Sequence, residues 1–277
     1  MSVQKYLYAK KLSIGYNTSQ SNSTIKRNVD QVLNEYPSLN NLKLSLSPRE
    51  FINKLNILYY PNEVVIKSMF INKKLISSEN HVSIFELNVR NSRLDLAQIH
   101  TFSTAFEIKT DFDSPKRLVQ QMNNYIKVFE KVYLICSEKN VHIYKSYIPD
   151  ECGIYSYRLT KKGTYIFKRV KTACVSKLLS PRDQLDVFSK KDLNLFFNCP
   201  LLNQKIDMIN LIVNTYSKND INKKFKNHLK LKFSDRWEFL KENHNDILEI
   251  DYQWFYKNMI SPKFVYWFIL DIAEEYI

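Results

Sequence analysis

The 277-residue chain is 44% hydrophobic and 14% aromatic with a net charge of +13, which excludes a disordered polymer and leaves room for one elaborated domain or two. Residues 1–175 carry 26 Lys/Arg against 14 Asp/Glu, whereas residues 176–277 carry 15 against 14, so the basic excess lies in the first stretch and points to an anionic polymer as partner. No run reaches the ~18–20 apolar residues of a membrane span, no signal-peptide core follows Met1, and Cys136, Cys152, Cys174 and Cys199 lack metal-ligand spacing. Free buried thiols in a cytoplasmic protein are the expectation.

Residues 5–14 fit a strand or a helix, and Asn17 to Ser23 reads as a mobile polar loop. Thr24 to Tyr36 has the helical period, with Ile25, Val29, Val32 and Leu33 on one face and a stop before Pro37. Ser47-Pro48-Arg49-Glu50 predicts a capped helix start. Tyr60-Pro61 opens a further helix to about Leu75, with Glu63 in its first turn; that glutamate reads equally as an acid favoured by the helix dipole or as a partner of Lys67.

Alternation then predicts strands over His81 to Val89, Arg93 to Ile99 and Ser103 to Lys109. A turn centred on Thr101 sets Asp95 directly opposite Glu107. Leu94, Leu96, Phe106 and Ile108 share the apolar face, and Asp95, Ala97, Ala105, Glu107 and Lys109 share the other. Two opposed carboxylates repel and call for a cation, which a hard divalent metal with a nearby lysine answers. The same pattern also describes a wet sheet face on which Lys109 only neutralises Glu107. Glu86, on the preceding strand, rivals Glu63 as a third acid.

Ser114-Pro115 predicts a helix to Glu130, along which Arg117, Gln121 and Tyr125 form a row, followed by a strand from Lys131 to Cys136 laid parallel in the same sheet. Residues 141–172 read as added strands. Tyr155 to Leu159 and Thr164 to Val170 flank a turn at Lys161-Lys162-Gly163, a basic finger of Arg158, Lys161, Lys162, Lys168 and Arg169 suited to gripping phosphates. From Ser176 onward the pattern is helical, with starts at Ser180-Pro181, Ser189 and Ser261-Pro262, and with Trp237, Trp254 and Trp267 as core bulk.

Four pieces lie in order on these elements: Asn62-Glu63, Ser92-Arg93-Leu94-Asp95-Leu96-Ala97, Phe106-Glu107-Ile108-Lys109 and Arg117-Leu118-x-x-Gln121-x-x-x-Tyr125. Together they resemble the PD-(D/E)XK nuclease superfamily, and within it a mostly uncharacterised bacterial family. The resemblance runs from Pro61 to Cys136; Leu94 stands where the superfamily's proline usually precedes the Asp, a change that removes no ligand. It implies an α/β (α+β) protein with a restriction-endonuclease-like αβββαβ core and a mixed central sheet over residues 60–175. A helical N-terminal segment (1–59) and an all-helical C-terminal region (176–277) would flank that core.

It further implies a Mg²⁺-dependent nuclease, with Mn²⁺ able to substitute. Asp95, Glu107, the carbonyl of Ile108 and Glu63 would hold the metal, Lys109 would activate water, and Gln121 and Tyr125 would position substrate. DNA is favoured over RNA as the partner, gripped by the finger and Arg117, and defence against foreign DNA is the setting suggested by analogy. Residues 176–277 would serve as a homodimer or protein-partner surface. The alternative is an inactive nucleic-acid-binding module or an interaction scaffold on the same fold.

Overall fold

The structure, a computed structural model, describes residues 3–43 and 45–268. Helices α1 (Val3–Gly15), α2 (Asn22–Glu35), α3 (Asn40–Lys43), α4 (Pro48–Tyr59) and α5 (Glu63–Phe70) precede the strands β1 (Val82–Val89), β2 (Ser92–Ile99) and β3 (Ser103–Lys109). Helix α6 (Leu118–Tyr125) leads to β4 (Lys131–Ser137), and α7 (Val141–Tyr144) leads to β5 (Gly153–Leu159) and β6 (Tyr165–Lys171). Helices α8 (Pro181–Asp186), α9 (Lys190–Phe197), α10 (Lys205–Thr215), α11 (Lys218–Asn243) and α12 (Tyr252–Asn258) follow. They build two compact units: residues 1–72, 159–164 and 238–277 contribute to one, and residues 73–158 and 165–237 form the other.

In the first unit α1, α2 and α4 share a core of Ala9, Leu12, Ile25, Val29, Val32, Phe51 and Leu55. Residues 5–14, undecided in sequence, are helical because Ala9 and Leu12 lie against that core. The face expected of α2 is the face it buries, and each such aliphatic side chain contributes about 1.5–3 kcal/mol relative to exposure. Ser21 caps α2 by accepting the Thr24 N–H, and Ser47 with Glu50 forms a complete capping box on α4.

The segment from Asn17 to Ser23, expected to be mobile, is instead tied down. Arg49, 4% exposed, donates to the carbonyls of Thr18 (3.1 Å) and Gln20 (2.6 Å) and to Asn22 Oδ1 (3.0 Å). Thr18 Oγ1 donates to Asp251 at 2.6 Å, and the hydroxyls of Tyr16 and Tyr266 reach the same carboxylate at 2.9 and 2.7 Å. A polar loop whose groups are met by a buried guanidinium and a buried carboxylate has no need of water to satisfy it.

The second unit is organised on a six-stranded sheet in the order β1-β2-β3-β4-β5-β6, antiparallel from β1 to β3 and parallel from β3 to β5. Residues of β3 are buried on both faces, so the face that carries Glu107 and Lys109 is covered as well and is not the wet face of the alternative reading. On one face Phe106 stacks on Tyr133 and Tyr155 packs tilted against both, with Tyr133 and Tyr155 ring centres 5.1 Å apart. Gly153 is required there, because a Cβ would meet the Tyr133 ring at 2.2 Å. Gly163, at φ +77°, closes the β5–β6 turn beside Leu58.

Three local expectations are corrected. Helix α6 ends at Tyr125 rather than Glu130, since Ser176 takes the Ile126 carbonyl (2.6 Å) and Glu130 is drawn to the Ser103 N–H (2.7 Å) at the start of β3. The stretch 141–147 is helical, and the strands expected there begin only at Gly153. Cys174 is exposed, unlike the buried thiols of Cys136, Cys152 and Cys199. Trp237 and the neighbourhood of Trp254 supply core bulk, whereas the Trp267 side chain lies outside the described residues.

Candidate functional site

The β2–β3 pairing runs from Ile99–Ser103 to Leu96–Phe106, the register expected from a turn at Thr101. One step further stand Asp95 and Glu107. There the Asp95 carboxylate enters the ladder itself, accepting the Ile108 N–H at 2.7 Å. A short polar side chain substituting for a strand partner in this way fixes its own orientation and opens the sheet at that point.

Glu107 is held from two sides. Its Oε1 accepts from Lys109 Nζ at 2.6 Å and its Oε2 lies 3.0 Å from the Tyr125 hydroxyl. That hydroxyl is also 3.0 Å from the Arg93 carbonyl oxygen, so its single proton serves one of two acceptors. Burial, and then the charges of Glu107 and Asp95, push the Tyr125 pKa far above the ordinary phenol range. Tyr125 is therefore a donor at neutral pH and not a base. The Gln121 amide hydrogen-bonds Tyr125, and its Oε1 is buried without a hydrogen-bond partner among the described residues. Asn124, one turn on, donates to Ser92 Oγ at 2.8 Å and pins α6 across β2.

Asp95, Glu107, Lys109, Gln121 and Tyr125 are thus brought together, all within the second unit. Arg117 stands exposed just before α6. Glu63 opens α5 in the first unit, where its carboxylate pairs with Lys67 at 2.9 Å. Glu86 lies opposite Asp95, between the Phe85–Leu96 and Leu87–Leu94 pairs, at φ +51° and 3.6 Å from Arg93. A left-handed glutamate inside a strand costs of order 1–3 kcal/mol. No sequence signal announced it, because nothing in the alternation marks a positive φ.

The finger residues Lys161, Lys162, Lys168 and Arg169 are exposed, and Arg158 faces Glu138 at 3.8 Å. Among the described residues no group of three or more His, Cys, Asp or Glu is placed to hold a metal ion. Nor is any described helix long and apolar enough to cross a membrane.

Fold and site define a mixed α/β protein whose central sheet carries a buried carboxylate–lysine–tyrosine cluster. The chain belongs to the family of bacteriophage P4 protein cII, whose family model matches residues 59–253. Protein cII of Enterobacteria phage P4 is 30% identical over 106 residues, which cover 38% of this chain and 40% of the relative. The matched region thus spans about two fifths of that curated relative. A solved structure, the SPO1766 protein of unknown function from Silicibacter pomeroyi, is 17% identical over 38% of this chain and 66% of its own. Its TM-score is 0.29, too low to bear on the fold.

Proposed function

We propose that the protein is a metal-dependent nuclease on a PD-(D/E)XK core, hydrolysing phosphodiester bonds in the cytoplasm, with DNA preferred. The observation that carries this reading is the meeting of Asp95, Glu107 and Lys109 where the β2–β3 ladder opens. The element order α5-β1-β2-β3-α6-β4, with β4 parallel to β3, supports it.

The donor set suits a hard cation. Mg²⁺ would take Asp95, Glu107 and the Ile108 carbonyl, a sparse set that leaves positions for water and phosphate oxygens. When bound, it supplies charge neutralisation at the phosphate and acidifies water toward neutral pH. Lys109 brings a positive charge to the developing phosphorane oxygens. Tyr125 fixes the Glu107 carboxylate, and Gln121 fixes Tyr125.

Asp95, Glu107 and Lys109 are only 6%, 1% and 8% exposed, so substrate access on this reading requires the α6 side of the sheet to open. The same burial favours a second reading, a satisfied polar network that orders a non-catalytic nucleic-acid-binding module. Cleavage of a DNA and RNA panel, with and without Mg²⁺ or Mn²⁺, separates the two. The expected outcome is metal-dependent cleavage of DNA that falls at least about 100-fold in Asp95→Asn, Glu107→Gln and Lys109→Ala. Undiminished cleavage by Glu107→Gln would overturn the nuclease reading. Absence of cleavage by the wild type, with Glu107→Gln melting lower because Lys109 loses its partner, would establish the second.

A further inference from the structure

Away from the carboxylate site, positive charge is concentrated along the first half of α11. Residues 218–232 contain six lysines and one aspartate, whereas residues 233–243 contain two basic and three acidic residues. A near-neutral C-terminal region therefore hides a sharp local segregation. The aspartate, Asp220, is occupied at the helix start, accepting the Ser217 hydroxyl at 2.6 Å.

Lys223, Lys226 and Lys230 recur at three- and four-residue spacing and so share one side of the helix. With His100 from the β2–β3 turn, Lys224, and Asp220 at the rim where the helix starts, they line a groove of about 700 Å³. Lys226 is fastened across it, donating to the Thr101 carbonyl at 2.8 Å and pairing with Glu130 at 3.1 Å. Glu130 has little left to offer, since it also accepts from the Ser103 N–H (2.7 Å) and from Asn222 (3.0 Å). Lys223 and Lys230 have no ion-pair or hydrogen-bond partner among the described residues. Beside the same turn, Lys131 Nζ sits 3.9 Å from the centre of the Phe102 ring.

A merely solvated helix face interleaves acids with its lysines at four-residue spacing and gains from the pairs. Here the lysines follow one another, Lys226 and Lys230 repel at i,i+4, and the shape is concave. Such an arrangement destabilises the helix unless an anion answers it.

We propose that this groove binds the phosphate backbone of a nucleic acid. The partner is assigned by charge and form: a row of ammonium groups along a groove matches a linear array of phosphates, as a single pocket would match a small anion. The groove adjoins the Ser103 end of β3, and Lys109 lies at the other end. Six residues at ~3.3 Å each separate them, so a strand engaged at both places would span roughly 20 Å, or about six nucleotides at 3.4 Å per step. The binding proposal stands on the groove alone and does not depend on cleavage.

The test is binding by the 277-residue chain in EDTA, which silences any metal-dependent cleavage. The probes are a labelled duplex DNA of about 30 base pairs, the matching single strand and the matching RNA, between about 50 and 200 mM salt. In Lys223→Glu/Lys230→Glu, affinity should drop at least about tenfold, and the log–log salt slope should flatten by about 1.8 for duplex or about 1.4 for single strands. Lys223→Gln/Lys230→Gln, with an unchanged circular dichroism melt, should show the same direction of change. Lys73→Glu/Lys74→Glu, an equal charge change at two exposed lysines outside the groove, should leave affinity within about twofold. The proposal is overturned by groove variants with wild-type affinity and slope. Equal loss in the Lys73/Lys74 control, or a wild-type protein that binds none of the three probes at the lowest salt, would overturn it as well.

Discussion

At the scale of single residues, the acids Glu63 and Glu86 illustrate how position outweighs motif. The resemblance names Glu63 as third carboxylate, with Glu86 as its rival. Glu63 is engaged by Lys67 within its own helix, whereas Glu86 stands in register with Asp95 and is held in a left-handed conformation that only a surrounding constraint would maintain. If cleavage is observed, Glu86→Gln should reduce it by about tenfold or more and Glu63→Gln by less than about twofold, by the scale of a lost site carboxylate. The opposite ranking in a single-turnover assay would return the role to Glu63. The partners of Asp95 and Glu107 were legible in part. Alternation placed both acids and Lys109 on one face, but the entry of Asp95 into the Ile108 N–H could not be read, because it replaces a ladder bond that a regular strand would make with backbone.

At the scale of elements, the α9–α11 contact should confer a pH dependence. His228 on α11 stacks on Phe188 with ring centres 4.1 Å apart and meets Phe196 edge-on at 4.9 Å. Burial lowers its pKa to about 4; Asp192 at 3.8 Å opposes the shift and Lys232 adds to it. The folded imidazole therefore stays neutral while the unfolded chain takes up a proton as pH falls through about 6.5. Stability is complete above that value and is lost between about 6.5 and 4. Chemical denaturation should show wild type losing about 1–2 kcal/mol more than His228→Gln between pH 7 and pH 5. Parallel pH profiles for the two proteins would refute the assignment.

The strands β2 and β3 and helix α2 were legible because their periods coincide with burial. The end of α6 was not, because Glu130 and Ile126 are claimed by Ser103 and Ser176, residues far away in the chain. The C-terminal helices were legible as helices, while their charge was masked by averaging over both halves of α11.

At the scale of the whole molecule, the division of the chain differs from any division of the sequence into consecutive stretches. The first unit joins residues 1–72 to residues 238–277, and in its polar centre Thr18 and Tyr16 donate to the fully buried Asp251 while Arg49 donates to the Tyr16 hydroxyl and the Thr18 carbonyl. Burial pushes the Asp251 pKa up, while hydrogen bonds from Thr18, Tyr266 and Tyr16 and the nearby Arg49 charge pull it back. Arg49→Ala removes that nearby charge together with the hydrogen bonds Arg49 donates to Tyr16, Asn22 and the Thr18 and Gln20 carbonyls, and should cost about 3 kcal/mol or more, measured by denaturant unfolding. A loss below about 1 kcal/mol would show that the three hydroxyls suffice.

This interleaving also sets a timetable on the ribosome. Residues 1–72 emerge before the sheet, yet the aspartate that Tyr16 and Thr18 require is made only after every strand of it. At roughly 5–20 residues per second, the interval from residue 72 to residue 251 is about 10–40 s. The unit that holds residues 1–72 thus closes after the sheet is complete, and through that interval its apolar helix faces wait for the segment that finishes their burial.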